Sequence, residues 1–184
     1  MIVDVSKNKM SVGEACIDTI RQIDSIVYEA QMDIMVAEYN YLAETGEPLM
    51  ITDGSENSIF KRVRNAIVSI MNAVKKFFAD LKEKISKKIQ KFKNNVEIYK
   101  AYYKLGRDLE RMYEDLLKEQ KEAERAAKKA EGDMSKIRQV LNNFKEKCHK
   151  STKEAKEKYV TVDVYDADGN RIHTTHTTAK VSEA

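Results

Sequence analysis

Residues 59–93 read IFKRVRNAIVSIMNAVKKFFADLKEKISKKIQKFK, and the spacing of apolar side chains in this stretch decides the fold. Phe60, Val63, Ile67, Ile70, Val74, Phe77 (or Phe78), Leu81, Ile85, Ile89 and Phe92 recur at steps of three and four, the period of an amphipathic helix and not of a strand. Around that stripe stand Lys61, Arg62, Arg64, Lys75, Lys76, Lys82, Lys84, Lys87, Lys88, Lys91 and Lys93. The successive steps of four from Leu81 through Ile85 to Ile89 form a stutter, which locally straightens a left-handed supercoil.

Towards the C-terminus the helical period continues through Val96, Tyr99, Tyr103, Leu109, Tyr113 and Leu116. Unbroken to Glu131, such a helix would be roughly 110 Å long at ~1.5 Å per residue, too long for a small globule. Asn94-Asn95 and Gly106 are the weak points, each costing up to about 1 kcal/mol against alanine, and a kink or chain reversal is expected there. One rod and a folded pair both remain open. From Lys118 to Lys129 the pattern thins into a charged, solvated helix supported by pairs four residues apart. Gly132 is a stop. Asp133, Met134 or Ser135 starts a further helix with Ile137, Val140 (with Leu141), Phe144 and Cys148 on its apolar face, running to about Lys158. Tyr159 to Tyr165 then alternates with period two, Asp166 to Asn170 is turn chemistry, and Arg171 to Thr178 is a second β-rich run, which together predict a hairpin.

Towards the N-terminus, Cys16, Ile20, Ile23, Val27, Ala30, Ile34, Ala37 and Tyr41 form a heptad seam on a helix from about Ser11 to Glu44. Ser11 with Glu14 is a capping box, and Thr45-Gly46-Glu47-Pro48 is a stop. Ile17, Ile26, Met35 and Leu42 widen the stripe, which predicts packing against more than one neighbour. Residues 45–57 read as a polar loop, with Asn57 or Ser58 capping the basic helix.

The organisation is therefore 1–57, an acidic heptad helix and loop; 58–131, a long basic amphipathic then charged helix; 132–158, a third helix; and 159–184, a β-hairpin tail. One proline and six glycines among 184 residues agree with a mainly α fold. The expectation is long amphipathic helices forming an antiparallel helical hairpin, bundle or coiled coil, with a short C-terminal β-hairpin.

Charge is segregated. Residues 1–58 hold 3 basic and 11 acidic side chains, and residues 59–104 hold 13 basic and 3 acidic, so the first two helices are expected to pack antiparallel with opposite charges united. Two cysteines 132 positions apart make no disulfide framework, which favours an intracellular or virion setting. The opening Met-Ile-Val-Asp-Val-Ser-Lys lacks the pattern of a signal peptide, and lysines interrupt every stretch that approaches the ~18 to 20 apolar residues of a spanning helix.

Chemistry finds little footing. His173 and His176 fall on opposite faces of one predicted strand, and Cys148 and His149 diverge by about 100° on a helix, so neither pair makes a metal site or an activated nucleophile. Asp166 and Asp168 before Gly169 resemble a calcium loop, but Val164 and Thr175 stand where its first and last carboxylates belong. No glycine-rich phosphate loop occurs. Asp108, Glu110, Glu114 and Asp115 read as helix-surface ion-pairing groups. No catalytic residue, metal, cofactor or small-molecule substrate is expected.

Ser11-Val12-Gly13-Glu14-Ala15-Cys16-Ile17-Asp18-Thr19-Ile20, the Ile23-Asp24-Ser25 that follows, and Ser58-Ile59-Phe60-Lys61-Arg62 leading into the cationic helix resemble a family of small helical virion structural proteins. These are encoded by tailed bacteriophages and prophages of Clostridia-type bacteria. The resemblance covers about residues 10–93 and transfers no functional residues. It implies a non-enzymatic component of a phage particle, made in the bacterial host cytoplasm. On that reading Cys16, Ile20, Ile23, Val27, Ile34, Tyr41, Val63, Ile67, Ile70, Val74 and Leu81 pack helices within the chain, between copies or against other virion proteins. The alternatives are a membrane-active protein whose helix 59–93 binds anionic lipid, or an internal DNA-contacting protein without sequence preference. In either, Lys61, Arg62, Arg64, Lys75, Lys76, Lys84 and Lys88 make the contact.

Overall fold

The chain reverses at residues 92–95. In a computed structural model, which describes residues 10–48, 58–130 and 133–175, the basic stretch ends as helix α2, Ser58–Lys91, and the next helix, α3, spans Val96–Lys129. Of the two alternatives for residues 58–131, the folded pair is the one formed. Asn95 is the reason: its extended backbone breaks the helix, and its side-chain oxygen accepts from the Ile98 backbone N–H at 3.2 Å, capping α3. Gly106, the other expected weak point, stays inside α3.

The remaining helices are α1, Val12–Thr45, and α4, Met134–Val160. Ser11 and Glu14 form the expected capping box, and Gly46 at φ +71° ends α1 in the left-handed conformation that glycine adopts without strain. Asp133 caps α4 by accepting from the backbone N–H groups of Ser135 and Lys136. Asn57 and the rest of the 45–57 loop beyond Pro48, Gly132 and His176 lie outside the described residues; Ser58 is the first residue of α2 and not its cap.

Cross-helix pairs fix the topology. Asp33 faces Arg62, and Met10 O accepts from Lys84 Nζ, so α1 and α2 run antiparallel. Phe78 meets Tyr113 and Lys82 meets Glu110, making α3 antiparallel to α2. Glu119 pairs with Lys147, and Glu38 with Arg138, which closes α4 antiparallel to both α3 and α1. The result is an up-down-up-down four-helix bundle in which α2 and α4 also meet across the diagonal. Three of the helices have 34 residues, about 50 Å at ~1.5 Å per residue.

One apolar stripe from each helix fills the core. α1 contributes Cys16, Ile23, Val27 and Ile34; α2 contributes Val63, Ile67, Ile70, Val74 and Leu81; α3 contributes Tyr102, Leu109 and Leu116; α4 contributes Ile137, Leu141, Phe144 and Cys148. Ile20 and Tyr41 are only half-buried. Ile17, Met35 and Leu42, expected to widen the packed stripe, point into solvent.

The C-terminal hairpin pairs β1, Asp163–Tyr165, with β2, Arg171–Thr174, antiparallel, with a bulge between Val164 and Tyr165. Tyr159 and Val160, read as strand residues from their alternation, instead complete α4. Asp166 organises the turn by accepting from the backbone N–H groups of Asp168 and Asn170, and these bonds hold its carboxyl below the usual range. Thr175 ties the hairpin back to the helix: its hydroxyl donates to Val160 O at 2.7 Å, and its backbone N–H donates to Val162 O.

Candidate functional site

Three surfaces of the bundle carry chemistry. The first is the outer cationic face of α2. Lys61, Arg62, Arg64, Lys75 and Lys76 are exposed, whereas Lys84 and Lys88 are half-buried. The aromatic residues of the same helix turn the other way: Phe77 and Phe78 are buried, and Phe60 and Phe92 pack partly against the core. Charge pairing with α1 is smaller than the segregation predicts, since Arg62 to Asp33 at 3.9 Å is the one α1–α2 ion pair among the described residues. Lys84 bonds within α2 to Asp80, and Lys82 reaches Glu110. The acids of α1 turn instead to α4, Glu38 to Arg138 and Asp24 to His149 Nε2 at 2.9 Å. Lys61, Arg64, Lys75 and Lys76 have no acidic partner among the described residues.

The second surface is the seat of the hairpin on the bundle. Tyr102 is wholly buried on α3, and burial, with a smaller push from Tyr159, raises its phenol to about 12. Its hydroxyl therefore stays protonated and shares a hydrogen bond of 2.6 Å with His173 Nε2, the tautomer of the imidazole setting which of the two donates. Phe92 stacks on Tyr102 with ring centroids 6.2 Å apart and meets His173 edge-on at 4.9 Å. Desolvation, with Lys88 and Lys91 nearby, lowers the imidazole below its ordinary value against a smaller opposing pull from Asp163. A hydrogen bond between the imidazole on β2 and a protonated phenol on α3 thus ties the hairpin to the bundle.

The third surface is the outer face of α1. Tyr28, Met32, Met35, Tyr39 and Leu42 follow one another at steps of four, three, four and three. They lie roughly 150° round the helix from the buried stripe at ~100° per residue. Tyr28 is 64% exposed, Met35 49%, Tyr39 72% and Leu42 50%, and Val36 beside them is 52% exposed. α1 is therefore apolar on two opposite faces. Of the residues read as packing positions, Cys16, Ile23, Val27, Ile34, Val63, Ile67, Ile70, Val74 and Leu81 lie in the core shared by the four helices, Ile20 packs partly against it, and Tyr41 is half-buried outside that cluster. A second set of heptad positions, seven-residue steps through 28, 35 and 42 and through 32 and 39, was the sequence signal for the outer stripe.

Concave features are shallow. An open groove of about 290 Å³ runs along α3 from Tyr99 to Arg111, where Tyr99 stacks on Tyr103 and the Arg107 guanidinium lies over the Tyr103 ring. A smaller one of about 190 Å³ lies between α3 and α4 around Ala123 and Val140. Among the described residues no group of three or more metal-ligating side chains converges, and no helix is long and apolar enough to cross a membrane. Asp108, Glu110, Glu114 and Asp115 lie along α3, where Glu110 and Asp115 pair with Lys82 and Lys118. Both thiols are buried; desolvation raises that of Cys16, and raises that of Cys148 to about 12 with a smaller push from Glu119. Comparison with protein families, with curated proteins and with solved structures found no match to this chain.

Proposed function

We propose that the chain is a non-enzymatic structural component of a phage particle that self-associates or docks on other virion proteins through heptad-spaced apolar faces. The observation that carries this reading is the outer stripe of α1. Burying one stripe is enough to hold α1 in the bundle, so a second, exposed stripe with coiled-coil spacing is surplus to folding. A contiguous apolar patch of that kind marks an interaction surface. No cofactor, metal or small-molecule substrate enters the reading. The virion setting, with synthesis in the bacterial host cytoplasm, rests on the resemblance of residues 10–93. Mass spectrometry of purified particles tests it: the chain is expected at stoichiometric abundance, and its absence from particles made by a host that expresses it refutes the assignment.

The cations on α2 that have no acidic partner among the described residues favour a second reading, contact with DNA or an anionic membrane. DNA requires only the exposed face of Lys61, Arg64, Lys75 and Lys76. Lipid insertion requires more, because Phe77 and Phe78 are buried and α2 must leave the bundle to present them. Phosphate contact predicts duplex affinity that falls steeply between ~50 and ~200 mM salt, and no retardation at the lower salt refutes it. Leakage of anionic vesicles that neutral vesicles resist is the corresponding readout for lipid.

A further inference from the structure

We infer that the outer stripe of α1 is occupied by the same stripe of a second copy of this chain, the two α1 helices crossing antiparallel. The inference rests on the self-association reading above and specifies its face, partner and register. Three observations carry it: the area exposed, the match of the stripe to its own reverse, and the charges beside it.

Tyr28, Met32, Met35, Val36, Tyr39 and Leu42 together leave roughly 600 Å² in water, the upper end of what a monomer surface carries as one patch. Mirrored on a second copy and buried in full, this reaches at most about 1,200 Å² in total, the lower bound of the size range of specific interfaces.

The stripe also matches itself in reverse. With Tyr28, Met35 and Leu42 at d positions and Ser25, Met32 and Tyr39 at a positions, antiparallel packing sets each a residue against a d residue of the partner helix. One register fills every layer: Tyr28 meets the second copy's Tyr39, Met32 meets its Met35, and the small Ser25 meets its Leu42. Large faces small at the ends, and like-sized side chains meet in the middle.

The flanking charges select the same orientation. Beside the stripe stand Asp24, Gln31 and Glu38 on one edge, where they also meet His149, Asn142 and Arg138 of α4, and Glu29, Val36 and Ala43 on the other. Parallel helices bring opposite edges together and place Asp24 against Glu29 of the other copy, a like-charge contact. Antiparallel helices pair like edges, so Gln31 lies beside Glu38 and Glu29 beside Val36, with no acid facing an acid. α1 carries no lysine or arginine between residues 24 and 43, and the arginines that reach this segment from neighbouring helices, Arg62 and Arg138, are paired with Asp33 and Glu38, so the stripe is not built for an acidic helix.

Sedimentation of the full chain at micromolar concentrations and thiol cross-linking test this. The wild-type chain is expected to sediment at twice its monomer mass. Met35→Glu and Tyr39→Glu, both at half-exposed or exposed positions, are expected to halve that mass while far-UV circular dichroism stays unchanged. Under mild oxidation, a mixture of Tyr28→Cys and Tyr39→Cys chains is expected to give a disulfide-linked dimer that neither chain gives alone. In this register two copies of residue 28 lie ~16 Å apart along the axis at ~1.5 Å per residue, beyond disulfide reach. The native thiols are buried and do not compete. Cross-linking by Tyr28→Cys alone signifies parallel helices and overturns the inference. So does a trimer or higher species, or a wild-type monomer. A dimer that survives both glutamate variants also overturns it, while leaving self-association through another face standing. The particle assignment is judged separately, by mass spectrometry of the virion.

Discussion

Replacing Gly106 with alanine is expected to stabilise the bundle, although the residue sits where α3 faces α2. Its α-helical backbone needs no glycine, and an added Cβ would have as its nearest neighbour Ile85 Cγ2 at 3.6 Å, ordinary van der Waals contact. Glycine in a helix interior costs ~0.8–1.0 kcal/mol against alanine. A half-buried methyl contributes a few tenths more at ~25 cal/mol per Å². The sum is about 1 kcal/mol, and for a chain of this length each kcal/mol moves the midpoint by about 2–4 °C. Thermal unfolding followed by far-UV circular dichroism should therefore show Gly106→Ala melting about 2–5 °C higher than wild type. Gly106→Leu should melt lower, because its longer side chain must displace Ile85, and overpacking costs ~1–3 kcal/mol. A lower midpoint for the alanine variant would refute the reasoning, since it would mean that the α2–α3 separation requires a bare backbone there.

Leu141→Ala removes a wholly buried side chain from α4 and should cost ~2–5 kcal/mol in urea unfolding, whereas Ile17→Ala, at an exposed site, should stay within ~0.5 kcal/mol; equal losses would contradict the assignment of inner and outer faces. Ser11→Ala abolishes the side-chain half of the capping box and should cost about 1 kcal/mol, with amide exchange rising first at the start of α1. The hairpin should be acid-sensitive: His173 has a lowered folded pKa, so its contribution is full above the ordinary value of 6.5 and is lost as pH falls through the lower folded value. An NMR titration should place His173 below 6.5; a titration above 6.5 in the wild type would reverse the sign.

Helix content and the buried stripes were legible because burial here follows strict three-and-four spacing, as from Val63 to Leu81. The capping box at Ser11 and the turn at Asp166 were legible because each is local chemistry, a side chain bonding backbone within a few residues. The reversal at Asn95 was only half legible: the residues that weaken a helix are visible, but nothing in the sequence separates Asn95, which breaks it, from Gly106, which does not. That choice is made by tertiary packing, since Phe78 on Tyr113 and Phe92 on Tyr102 are contacts only a folded pair can make. The fate of the charges was misjudged for a related reason. Net charge per segment predicts attraction between α1 and α2, but ion pairs form where side chains meet, and Asp24 and Glu38 lie on the edge of α1 that faces α4. The outer stripe of α1 was seen as extra width, Met35 and Leu42 beside the inner seam, because a list of apolar positions does not show that two stripes lie on opposite sides.

The two buried thiols turn the protein into its own stopwatch. A sulfur sealed among helices, with its proton held tightly, is invisible to an alkylating reagent until the surrounding structure gives way, so the pace of modification reports how often that happens. Cys16 on α1 reaches Thr152 O, one helical turn along α4 from Cys148, so the two thiols watch the same seam from its two sides. Tagging of both at one rate would mean that α1 lifts from α4 in a single event; Cys148 tagged alone would mean that α4 is uncovered while α1 keeps its own thiol shielded.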